Sequence, residues 1–116
     1  MYPRAFLTIA LLLIGLGCGS SPVPSLASED AGERIPAIRE AGRRRDARAV
    51  PQLVAALKSD DPAVRFYAIQ ALERITGTTR GYRYFDGEDQ RAAAVTSWES
   101  YVKHHDRPTS SASTRP

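Results

Sequence analysis

The sequence contains one cysteine, Cys18, and no asparagine. A single cysteine excludes an intrachain disulfide, and the lack of asparagine removes every acceptor for N-linked glycosylation. Lysine is scarce as well, so the basic side of a net charge of +3 is almost all arginine. That reflects a biased composition as much as a nucleic-acid partner. No glycine-rich phosphate loop follows a strand, and no Ser/His/Asp arrangement is suggested. Asp86, Glu88 and Asp89 lack the spacing of a calcium loop and read as helix-start acids. His104 and His105 are adjacent on a helix end without companion ligands. No catalytic residue, cofactor or metal site is expected.

There is also no apolar run long enough to cross a bilayer, which takes about 20 residues. The nearest thing to one is the uncharged stretch Ala5–Leu16, preceded by Arg4 and followed by Gly17 and Cys18. A short positive region, an apolar core and small residues form the layout of a secretory signal peptide. Gly15-Leu16-Gly17-Cys18-Gly19 resembles the lipobox of bacterial lipoproteins, with glycine at position 15 where that family usually has leucine. The resemblance implies acylation of the Cys18 thiol, cleavage before it, and an exported chain anchored to a bacterial membrane that faces the periplasm or cell exterior. An ordinary signal peptide cut near Ser20 would instead discard the cysteine.

The organisation that follows is a signal peptide over 1–17, a Ser/Pro-rich tether over 18–30, a helical domain over 31–105 and a disordered tail over 106–116. A hydrophobic content of 42% with 25% charged residues suits one small domain with tails. The first helix is expected from about Ala31–Glu33 to Arg43. Ile35, Ile38 and Ala41 form its stripe, Arg43-Arg44-Arg45 close it, and Pro36 must fall in its first turn or the start is later.

Asp46 is placed to cap a second helix over Ala47–Lys58, in which Val50, Leu53, Val54 and Leu57 fall at i, i+3, i+4 and i+7. Pro51 should bend this helix rather than end it. Ser59-Asp60-Asp61-Pro62 is a tight turn with Asp61 as N-cap and Pro62 at the first helical position. A third helix over Ala63–Thr76 carries Val64, Ala68, Ala71, Leu72 and Ile75 on one side, with Phe66 and Ile69 widening the arc. Gly77 ends it.

Ile35, Ile38 and Ala41 echo Ile69, Leu72 and Ile75 at an offset of 34 residues, within the period range of helical repeat arrays. The run from Asp46 through Arg48-Ala49-Val50-Pro51, Leu53-Val54 and Ala56-Leu57, then Asp61-Pro62, Val64-Arg65, Ala68 and Ala71-Leu72, closely resembles a HEAT-type repeat. It is of the short kind also found in the phycobiliprotein-lyase-like group. The resemblance implies an all-α fold, a short α-solenoid fragment of one full repeat with half a repeat before it. Members of that family mostly bind other proteins and are rarely enzymes.

A repeat needs neighbours to bury its faces, so something must close the far side. Thr78–His104 is expected to do so with a last helix starting at Asp86 or Gly87. Its residues Ala94, Val95, Trp98, Tyr101 and Val102 point inward. The function expected from these features is a membrane-anchored scaffold for an unidentified protein partner. Arg48, Arg65, Arg74, Tyr82 and Tyr84 form its surface and Cys18 its lipid attachment, and the export signal argues against nucleic acid. The alternative is a small-ligand or accessory-enzyme module whose groove is lined by Tyr82–Phe85 and Trp98.

Overall fold

The structure, a computed structural model, describes residues 25–106. The expected signal peptide, Cys18, the front of the expected tether and residues 107–116 lie outside the described residues. Among the described residues the fold is all-α: α1 (Ala31–Arg43), a 3-10 turn (Ala47–Ala49), α2 (Val50–Ala56), α3 (Pro62–Thr76) and α4 (Glu88–His105).

Helix α1 starts where a side chain can satisfy its free N–H groups. The Asp30 carboxylate accepts from the Gly32 N–H at 3.1 Å, while Ser28 Oγ accepts from the Asp30 N–H and donates to Glu33 Oε2 at 2.9 Å. The preceding residues are fastened too. Leu26 packs against the core, and Arg34 Nε donates to its carbonyl at 3.1 Å. The tether expected to run to residue 30 therefore gives way to ordered structure by residue 25.

Pro36 also departs from expectation, standing inside α1 rather than in its first turn. The missing N–H releases the Gly32 carbonyl. Both residues are exposed, so water can take up that acceptor. At the other end the chain leaves α1 through a Schellman motif: the Asp46 N–H reaches the Ala41 carbonyl, the Arg45 N–H reaches that of Gly42, and Arg45 takes φ +50°.

Asp46 caps the next segment as expected, accepting from the Arg48 N–H at 3.0 Å. That segment is not one bent helix. Pro51 cannot donate to the Ala47 carbonyl, so the Val50 N–H bonds it instead and the first turn is 3-10. The α-helix proper covers Val50–Ala56 alone. Its stripe is as expected, with Val50, Leu53, Val54 and Leu57 all buried.

Asp61 and Pro62 open α3 in the expected way, Asp61 Oδ1 accepting from the Ala63 N–H at 2.8 Å. Gly77 closes it at φ +81°. Helix α1 lies along α3, α3 against α2, and α2 against α4. The two helices related by the 34-residue echo are thus neighbours, and Ile38 and Leu72 from them are fully buried. Gly42 permits the approach: a Cβ there would lie 2.9 Å from the Ala71 Cβ and 3.0 Å from its Cα. Among the described residues the architecture is a short α-solenoid fragment.

Candidate functional site

The residues expected to form a partner surface fall into two groups. Arg65, Tyr82 and Tyr84 belong to the closure of the fold. Arg65 Nη1 donates to the carbonyls of Ser59 at 2.9 Å and Asp60 at 3.0 Å, and its Nε donates to that of Tyr84 at 3.3 Å. One guanidinium thereby joins the α2–α3 turn to the aromatic loop, which corrects its expected role as a free surface arginine. Tyr82 is corrected as well. It is only 2% exposed, and its hydroxyl donates to the Leu57 carbonyl at 2.8 Å. Tyr84 is half-buried, edge-on to Phe66 with ring centroids 5.1 Å apart.

The aromatic groove of the alternative reading does not form, because Tyr82 and Trp98 are core. Trp98 is fully buried and its Nε1 donates to the Thr79 carbonyl at 3.0 Å, so both polar aromatic tips are satisfied internally. Burial pushes the Tyr82 phenol above its ordinary pKa, with Arg65 and Arg91 pulling the other way. Phe85, 68% exposed, stands on the rim. Glu88 and Asp89 occupy the first turn of α4, as helix-start acids do, and Asp86 pairs with Arg83 at 3.1 Å. His105 stacks on Tyr101 with centroids 3.9 Å apart.

Arg48 and Arg74 remain on the surface. Arg48 is 93% exposed and meets Asp46 at 3.2 Å. Arg74 lies in a groove of about 390 Å³ between α1 and α3, with Arg39 and Arg43 contributed by α1 and Tyr67 and Gln70 by α3. The groove exists because Gly42 and Ala71 at its floor are small while the residues flanking them are long.

Its charge is predominantly positive. Glu40 is the one acid lining it. That carboxylate is already engaged, bonded by Arg43 Nη2 at 2.6 Å, Arg43 Nε at 2.8 Å and Arg44 Nε at 2.6 Å. The hydrogen bonds from Arg43 and then Arg44 hold its pKa at about 2. Arg39 lies over the Tyr67 ring at 5.6 Å. Among the described residues neither Arg39 nor Arg74 forms an ion pair.

Sequence reasoning found Arg74 but missed Arg39. The signal was present: the 34-residue echo already set α1 beside α3, and Arg39 and Arg43 share a face at i, i+4. Among the described residues no cluster of three or more His, Cys, Asp or Glu side chains could hold a metal, and no helix is long and apolar enough to cross a membrane.

The family model for HEAT repeats matches residues 22–97, more than half of the chain. The chain belongs to the HEAT-repeat family. No curated protein and no solved structure matches it. In HEAT terms the 3-10 turn with α2, and then α3, make one repeat, α1 is the second half of a repeat before it, and α4 covers the far side of α2. HEAT repeats generally serve as protein-interaction scaffolds, and their grooves are formed by the helix rows that stacking leaves exposed.

Proposed function

We propose that this HEAT chain is a non-catalytic protein-interaction module, exported and held at a bacterial membrane by a lipid on Cys18, which engages its partner along the α1–α3 groove. The observation that carries the reading is that groove. Packing commits the inward faces of α1, α2, α3 and α4 to the core, while Arg39 and Arg74 keep exposed guanidinium groups beside a concave surface. The anchor rests on the sequence around Cys18, where several acyl chains would supply stable attachment.

The test places a photo-crosslinking amino acid at Gln70 in the groove and, as a control, at Gln52, which is exposed on α2. A discrete protein adduct from Gln70 and none from Gln52 supports the reading. Equal labelling from both, or none from either, sinks it. The anchor is tested separately with Cys18→Ser: release from membranes supports it, and undiminished membrane fractionation removes it.

A further inference from the structure

We propose that the α1–α3 groove receives an acidic segment of a partner protein, whose carboxylates are taken by Arg39 and Arg74. This rests on the interaction reading above and names the chemistry of the partner.

A guanidinium presents a planar fork of donors that matches a carboxylate, and clusters of arginine are a recurring device for reading acidic motifs. Here two such forks line one groove without a carboxylate of their own among the described residues. Glu40, the groove's own acid, is bound on both oxygens by Arg43 and Arg44 and has little left to offer. The cation–π contact with Tyr67 at 5.6 Å restrains Arg39, which has no ion-pair partner among the described residues, and this lowers the entropy cost of recognition.

The complement does not come from the segments outside the described residues. Residues 1–24 and 107–116 contain no aspartate or glutamate, whereas both contain arginine. A planar lipid surface is a poor match too, because the arginines flank a concavity floored by Gly42 and Ala71 rather than a protruding face. A volume of about 390 Å³ suits a few side chains of an extended segment.

The probe is a fluorescein-labelled decaglutamate peptide titrated with the purified full chain at low salt, with decalysine as a negative control. Binding should weaken at least about tenfold in Arg39→Glu/Arg74→Glu, which is about 1.4 kcal/mol. Lys58→Glu/Lys103→Glu carries the same charge change on the α2–α4 side, away from the groove, and should stay within about twofold of the parent. Circular dichroism checks that both variants fold, and Arg39→Gln/Arg74→Gln replaces the reversal should it unfold. The proposal is overturned if decaglutamate fails to bind or if the two double variants lose affinity equally. It is also overturned if phosphatidylglycerol vesicles bind through Arg39 and Arg74 while the peptide does not, or if the groove variant abolishes a dimer of the parent seen by sedimentation.

Crosslinking from Gln70 separates this failure from failure of the interaction reading. An adduct with a partner that lacks an acidic segment leaves the module intact and removes only the acidic chemistry.

Discussion

The Tyr82 hydroxyl donates to the Leu57 carbonyl at 2.8 Å, joining the loop after α3 to the end of α2 across 25 residues of sequence. That carbonyl belongs to the residue capping the C-terminus of a helix only seven residues long, where acceptors lack intrahelical partners. Tyr82→Phe keeps the packing and orphans the acceptor, so it should cost about 1–2 kcal/mol in chemical denaturation. The alkaline limb offers a second check. The unfolded phenol ionises near pH 10, and burial raises the folded value. The stabilisation is therefore complete below about pH 10 and is lost as pH rises through the folded value. Tyr82→Phe should remove that part of the alkaline decline, and an unchanged decline would assign it elsewhere.

Gly42→Ala should destabilise the protein even though alanine favours a helix interior by about 1 kcal/mol over glycine. The new methyl would meet the Ala71 Cβ at 2.9 Å and its Cα at 3.0 Å, and backbone cannot step aside as a flexible side chain can. The overpacking cost is about 1–3 kcal/mol, so the net change is a loss of up to about 2 kcal/mol. A melting temperature equal to or above the parent's would show that α1 and α3 separate freely.

Arg45→Gly should act in the opposite direction. Arg45 holds φ +50° in the Schellman motif that ends α1, a conformation that costs a side-chain-bearing residue about 1–2 kcal/mol. Glycine escapes that strain but loses more chain entropy on folding, which leaves a gain of about 0.5–1 kcal/mol. Denaturant midpoints measure it, and a loss of stability would contradict the prediction.

Glu40 gives the acid side. Its pKa, held at about 2 by Arg43 and Arg44, lies below the ordinary 4.5. A depressed carboxylate stabilises the fold above its unfolded value, and that contribution is lost as pH falls from about 4.5 through about 2. Glu40→Gln should flatten the dependence of melting temperature on pH in that window. The effect should be small, since the group is exposed and screened by solvent. A parent and variant with parallel acid profiles would refute it.

Much of the fold was legible where chemistry is local. Asp61 and Pro62 start a helix because a carboxylate two residues before an N–H and a ring with fixed φ act within one turn, and Gly77 ends one for an equally local reason. The stripe Val50, Leu53, Val54 and Leu57 was legible through its period. The site was legible in part. Arg65 and Tyr82 read as surface residues because their partners are carbonyls that any sequence provides, at separations of up to 25 residues that leave no periodic trace. Pro36 shows the limit of a local rule: interior prolines are disfavoured, but an exposed carbonyl one turn earlier lets the cost be absorbed by water. Gly42 leaves no sequence signal because its role depends on Ala71, and only the packed pair reveals it.

The side chains of Arg65, Tyr82 and Trp98 all end on main-chain oxygens: those of Ser59, Asp60 and Tyr84, of Leu57, and of Thr79. Every amino acid carries that oxygen, so the dependence runs one way. Changes at positions 59, 60 and 79 can accumulate over evolutionary time without cutting these ties, whereas each donor is answerable for its own. Relatives that close the stack in this manner should therefore retain an arginine, a tyrosine and a tryptophan at these places while the sequence facing them diverges.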